Sequence, residues 1–215
     1  MHFLNLKTPY NFIAIEGNIG AGKSTLAAML AVSLNAKKIM EEFEDNSFLP
    51  KFYENKSRYA FPLEMSFLAA RFNQLKNQLI GNDLFGENKI SDYVFAKSLL
   101  FSQNTLDEDE YKLYSQMYEI INLQLPQPDL LVYLHSPIEK LQWNIMNRGR
   151  VYEQKIENSY LQSLQDTYFK YLHSQVNTKI LIINCSALDF LSNKKDYEMI
   201  LEAICKPYEN GINYL

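Results

Sequence analysis

The chain has 215 residues, 47% of them hydrophobic, with seven glycines and seven prolines; that is enough apolar material for one sizeable core and excludes a disordered or fibrous chain. A net charge of −4 and a pI near 5.5 argue against a broad basic surface that holds a polyanion, so any phosphate must be met locally. Cys185 and Cys205 lack metal-type spacing and read as reduced thiols, and with no long apolar run and no signal segment ahead of Tyr10 the reading is a cytosolic protein.

No internal repeat or linker divides the sequence, so one domain is expected over residues 1 to 215. Phe12-Ile13-Ala14-Ile15 is an apolar run of strand length, and Leu26 to Leu34 has helix character. Between them stands Gly17-Asn18-Ile19-Gly20-Ala21-Gly22-Lys23-Ser24-Thr25, a P-loop in its proper context. Its glycines let several backbone N–H groups turn onto one anion, and the following helix adds its positive dipole end. Lys23 supplies a point charge to outer phosphates, and the Ser24 hydroxyl is placed to join the shell of a magnesium ion.

Lys38-Ile39-Met40 forms a short second strand that delivers Glu41 and Glu42 to its tip. In a doubly wound sheet such tips border the ligand crevice, and since neighbouring strand residues point to opposite faces, only one of the two acids faces it. Asp45 to Phe52 is a short irregular or helical piece, and Leu63 to Ile80 a longer helix started or kinked at Pro62, with Glu64 and Arg71 two turns apart on one face. After a polar loop with Gly81 and Gly86, Lys89-Ile90-Ser91 leads to Asp92 at a third strand tip. Val94 to Phe101 and Glu108 to Leu123 read as helices, the second opened by an acidic turn at 107 to 110. Asp129 to Leu134 is a clear buried strand, followed by a helix from Pro137 to Met146 and a loop with Arg148 and Arg150 about Gly149. A helix from Ile156 to Tyr171, a strand from Ile180 to Ile183 and a helix from Asp196 to Cys205 complete an α/β pattern of five parallel strands. His2, His135 and His173 show no nucleophile or metal spacing, and Trp143 reads as core or subunit interface.

The P-loop, the Glu41 strand tip, the Glu64/Arg71 helix, Asp92 and the Arg-Gly-Arg loop together resemble the deoxynucleoside kinases over nearly the whole chain. The stretches 44 to 53, 91 to 93 and 125 to 129 resemble the bacterial deoxyguanosine kinases among them. The resemblance implies a P-loop kinase fold, a five-stranded parallel sheet with helices on both faces, and a short Arg-rich lid over about 148 to 156. It implies transfer of the ATP γ-phosphoryl group to a deoxynucleoside 5′-hydroxyl with Mg²⁺, by a homodimer that needs neither nucleic acid nor membrane. Glu41 then matches the general base, and Lys23, Arg148 and Arg150 the groups that steady phosphoryl charge. Ser24 and Asp92 match the metal side, and Glu153 and Tyr53 the recognition of the sugar 3′-hydroxyl. Asp189 and Phe190 match the loop that covers the ATP adenine, and Lys97 and Phe101 line the base side. Two positions depart from the family pattern: Tyr93 and Asn144 stand where arginines are usual.

Base choice follows from hydrogen-bond sense. An ionised Glu64 only accepts, which suits the N1–H and N2 amino donors of guanine, while Arg71 can donate to guanine O6 and N7. Deoxyguanosine is therefore the expected substrate and deoxyadenosine its nearest rival. A nucleoside monophosphate kinase would want an added basic site for the acceptor phosphate, and a binding module without turnover would have little use for Lys23, Ser24, Glu41 and Arg148 together.

Overall fold

The computed structural model describes residues 7–42, 46–80 and 87–215; the loop glycines Gly81 and Gly86, the start of the 44 to 53 stretch and His2 lie outside the described residues. The strands are β1 (Phe12–Gly17), β2 (Lys37–Ile39), β3 (Lys89–Ser91), β4 (Leu130–His135), β5 (Lys179–Asn184) and β6 (Gly211–Tyr214). The helices are α1 (Lys23–Ser33), α2 (Phe48–Glu54), α3 (Lys56–Leu75), α4 (Lys97–Thr105), α5 (Glu108–Asn122), α6 (Ile138–Arg148), α7 (Asn158–Ser174) and α8 (Lys194–Ile204). The chain divides into two compact units: the described residues of Met1–Met40, Leu84–Val94 and Gln127–Leu215 form one, and those of Glu41–Asp83 and Phe95–Pro126 the other.

The first unit is built on a parallel sheet in the order β2-β3-β1-β4-β5-β6. All six residues of β1 are buried, as befits a central parallel strand covered on both faces. Alternation along the strands divides the side chains between two layers. Ile13, Ile15, Val132, Leu134, Leu181 and Ile183 pack in one core with Leu26 and Leu30 of α1, Leu141 and Ile145 of α6, and Ile200 and Ile204 of α8. Tyr133, on the other face of β4, meets Tyr168 and Phe169 of α7 at ring-centroid distances of 5.3 and 5.7 Å. The five-strand expectation is corrected to six. β6 is a four-residue edge strand, partly exposed, and only its pairing with β5 reveals it.

The second unit is helical. α3 begins at Lys56, seven residues before the expected start, because Asn55 caps it by accepting the Arg58 N–H at 3.2 Å; Pro62 lies inside the helix and a π-type stretch, Lys76–Ile80, continues it. α4 begins at Lys97 rather than Val94. The acidic start of α5 holds as read, with Asp107 accepting the Glu110 N–H at 2.9 Å. The buried face of α3 carries Ala60, Leu63, Glu64, Leu68, Arg71 and Leu75, so two charged residues stand within an apolar stripe at helical spacing. Trp143 is 65% exposed and does not belong to the core. No described helix is long and apolar enough to cross a membrane.

Candidate active site

β1 ends on Gly17 and α1 begins at Lys23, so the phosphate loop sits at the carboxyl end of the central strand. Gly20 and Gly22 hold φ of +81° and +90°, the left-handed region that glycine enters without penalty. Space demands glycine as well: a Cβ on Gly20 would lie 2.7 Å from the Leu141 carbonyl oxygen, and one on Gly22 would lie 2.8 Å from Cζ of Phe190. The Ala21 N–H closes the loop on the Asn18 carbonyl at 3.2 Å. Asn18 is buried; its Nδ2 donates to the Leu161 carbonyl at 2.7 Å and its Oδ1 accepts the Ile19 N–H at 2.8 Å. Lys23 Nζ reaches back to the Asn18 carbonyl at 2.9 Å, and Thr25 is exposed at the first turn of α1.

Ser24 and Asp92 are brought together: the Ser24 hydroxyl donates to Asp92 Oδ2 at 2.5 Å. An ammonium, a helix N-terminus and a hydroxyl beside a carboxylate make a donor set that fits a polyphosphate carrying a hard divalent cation. Among the described residues no cluster of three or more His, Cys, Asp or Glu stands as a self-sufficient metal cage. A cation here would therefore share its shell with phosphate oxygens and water.

The contacts of three residues around this loop were not foreseen from the sequence. Glu16, buried at the end of β1, accepts the Val94 N–H at 2.8 Å on Oε1, and the Tyr168 hydroxyl at 2.8 Å and Gly17 N–H at 3.2 Å on Oε2. It thereby ties the first P-loop residue to the turn that carries Asp92. An acid closing an otherwise apolar strand was the available signal. Asn144 donates to the Gly20 carbonyl at 2.8 Å, so the position where the family has arginine braces the loop instead. Lys140 Nζ donates to the Cys185 and Leu188 carbonyls at 2.6 and 2.7 Å, fastening the loop that bears Asp189 and Phe190. Asp189 is exposed and accepts the Ser192 N–H at 3.0 Å, a bond that holds its carboxyl below the usual range.

At the end of α6, Gly149 adopts φ of +73° as the helix C-cap. Arg148 pairs with Glu153 Oε2, and Arg150 Nη1 with Glu153 Oε1 at 3.3 Å. The two arginines expected in a lid and the acid expected at the sugar hydroxyl thus form one trio, in which Glu153 is buried and Arg148 37% exposed.

The second unit holds a charged cage. Glu41 Oε1 accepts Arg71 Nε at 2.8 Å and Nη2 at 2.7 Å, and Glu41 Oε2 pairs with Lys97 Nζ. Burial pushes the Glu41 carboxyl up, but the Lys97 ammonium and Arg71 guanidinium outweigh it and hold it down at about 2. Arg71 Nη1 donates to Ser98 Oγ at 2.9 Å, and burial, which would lower its guanidinium, is outweighed by Glu41 so that its pKa rises. Arg71 also lies over Phe67 at 4.8 Å and Lys97 over Phe101 at 5.3 Å from the ring centroids. Glu64 is 4% exposed, and its Oε2 has no hydrogen-bond partner. Burial drives its carboxyl up to about 7 against the opposing pull of Arg71. The buried Tyr114 hydroxyl donates to the Glu64 backbone carbonyl at 3.4 Å, and its pKa is pushed up by burial and then by the Glu64 charge. Tyr53 of α2 is half-buried, edge-on to Phe52 at 5.4 Å. Glu42, exposed, accepts Gln74 Nε2 at 2.9 Å.

A parallel α/β sheet with a P-loop at the end of its central strand points to a phosphoryl-transfer enzyme, and residues 13–208 match the family model for deoxynucleoside kinase. The chain belongs to the deoxynucleoside kinase family, and its activity is that of a deoxynucleoside kinase. It is 38% identical over 196 residues to the deoxyguanosine kinase of Bacillus subtilis (strain 168), covering 88% of this chain and 93% of that one. It is 30% identical to the deoxyadenosine/deoxycytidine kinase of the same strain, covering 90% and 91%. The deoxyadenosine kinase from M. mycoides with bound dCTP superposes with a TM-score of 0.76 at 26% identity, covering 90% of this chain and 98% of that one.

Proposed function

We propose that the chain transfers the γ-phosphoryl group of ATP, with Mg²⁺, to the 5′-hydroxyl of a purine deoxynucleoside, with deoxyguanosine favoured. The observation that carries the reading is Glu64: a buried carboxylate with one oxygen lacking a partner suits a base edge that presents adjacent donors, as guanine does. The 38% identity to a deoxyguanosine kinase supports it, and relatives acting on deoxyadenosine or deoxycytidine make those bases its rivals.

In this reading Lys23, the α1 N-terminus and the P-loop amides hold the triphosphate, and Phe190 with Asp189 covers its adenine. Ser24 and Asp92 hold the magnesium ion, which would neutralise developing charge on the phosphate oxygens. Arg148 and Arg150 exchange Glu153 for phosphate oxygens, while Glu153 and Tyr53 take the sugar 3′-hydroxyl and Phe101 stacks on the base. Glu41, held near 2 by Lys97 and Arg71, is a weak proton acceptor toward an unreacted alcohol. A loose transition state asks little of the base: Glu41 aligns the 5′-hydroxyl and takes its proton late, once bonding to phosphorus has made that oxygen acidic. The enzyme works as a homodimer in the cytosol; the exposed apolar residues Leu113 and Ile120 on α5, with Leu123 just past its end, suit burial against a second copy.

The test is Glu41→Gln. Turnover should fall by a factor on the order of 100 or more, with deoxyguanosine affinity largely kept and circular dichroism confirming the fold. Near-normal turnover in the folded variant would remove Glu41 from the chemistry.

A further inference from the structure

Resting on the nucleoside-binding role of Glu64, we infer that this residue is a proton-linked selector of the purine. Ionised, it accepts two donors and favours guanine; protonated, it presents one donor and one acceptor and favours adenine. The base preference of the enzyme is then set by pH.

The surroundings of Glu64 place its two states close in free energy. From its own helix α3 it faces Arg71; from α4, Lys97 and Thr105; from α5, Tyr114; and from the segment after β2, Glu41. Both nearby cations are spent on Glu41, which takes two bonds from Arg71 and the ammonium of Lys97. Glu64 therefore feels their charge without receiving a hydrogen bond from either. Ionising Glu64 would balance Arg71, Lys97 and Glu41 to zero, which favours the carboxylate; burial at 4% exposure with Oε2 lacking a partner favours the acid. Thr105 acts on the carboxylate side, its hydroxyl beside Glu64 lowering the pKa of that carboxyl. The two opposing influences leave the carboxyl titrating near neutrality.

The base decides which state is used. Guanine presents N1–H and the N2 amino group side by side, so its binding drives the proton from Glu64 into solution. Adenine presents N1 as an acceptor beside the N6 amino donor, a pattern the neutral acid meets as a glutamine amide would.

The experiment is the ratio of kcat/KM for deoxyguanosine to that for deoxyadenosine, measured from pH 6 to pH 8 with Mg-ATP, a ratio from which pH effects on the shared chemistry cancel. For a group titrating at about 7, each form changes about tenfold over this range, so the ratio should rise by up to about 100-fold. In Glu64→Gln the ratio should be flat and shifted toward deoxyadenosine. Calorimetry on the unaltered protein in buffers of differing ionisation heat supplies a second readout. Deoxyguanosine binding at pH 6.5 should release most of one proton, and deoxyadenosine binding should release almost none. A pH-independent ratio, an unchanged slope in Glu64→Gln, or no proton release with deoxyguanosine overturns the inference. Should neither nucleoside be phosphorylated, the proposed function fails instead, while the calorimetric proton count still decides the state of Glu64.

Discussion

Replacing Glu64 by glutamine should remove a loss of stability that the unaltered protein suffers as pH rises through neutrality. Two buried carboxyls in the second unit act in opposite directions. Glu41 is lowered from 4.5 to about 2, so its contribution is present above pH 4.5 and is lost as pH falls toward 2. Glu64 is raised from 4.5 to about 7. Between those values the folded protein holds a proton that the unfolded chain has released, so stability falls as pH rises from 4.5 to 7 and stays low above it. At about 1.4 kcal/mol per pH unit, the Glu64 interval corresponds to a fall of about 3 kcal/mol. With a urea dependence of about 2 to 3 kcal/mol per molar, the unfolding midpoint of the unaltered protein should drop by roughly 1 M between pH 5 and pH 8, relative to Glu64→Gln. Far-UV circular dichroism across that pH series measures the difference directly, and groups common to both proteins cancel. Midpoints that run parallel with pH would refute the assignment of a neutral, buried Glu64.

Three further outcomes follow from single contacts. Gly20→Ala puts a Cβ 2.7 Å from the Leu141 carbonyl at φ of +81°; left-handed strain of about 1 to 2 kcal/mol plus the overlap should lower the melting temperature by about 5 °C or more, and an unshifted melting curve would contradict this. Glu153→Gln should raise the KM for the nucleoside about tenfold or more if its carboxylate meets the sugar hydroxyl, yet cost under about 1 kcal/mol of stability because the paired arginines are partly exposed; an unchanged KM removes Glu153 from sugar recognition. Tyr168→Phe deprives the buried Glu16 of its hydroxyl donor and should cost about 1 to 3 kcal/mol in urea unfolding, against which an unaltered midpoint would count.

The parts of the site legible in the sequence were those set by local spacing. The P-loop glycines announce themselves because left-handed φ and close packing leave no substitute, and β1 and β4 read as strands because burial on both faces makes them continuous apolar runs. Glu64 and Arg71 could be placed on one helix face from their separation alone, and both are buried there. Other features depended on partners distant in sequence. Nothing local to Glu41 foretells that Arg71 and Lys97, 30 and 56 residues away, would close on its two oxygens. Asn144 looked like a lost arginine, and its bond to the Gly20 carbonyl depends on how α6 packs beside the loop. β6 carries no run of apolar residues and exists through its pairing with β5.

The proposed activity is decided by which acceptor takes the phosphoryl group. The measurement is kcat/KM for each of the four deoxynucleosides and their 5′-monophosphates with Mg-ATP, with product identity checked by ³¹P NMR. Deoxyguanosine converted to its 5′-monophosphate faster than the other seven acceptors is the expected result. Preferred turnover of a pyrimidine nucleoside would contradict the reading of Glu64, and phosphorylation of monophosphates alone would contradict the proposed function itself.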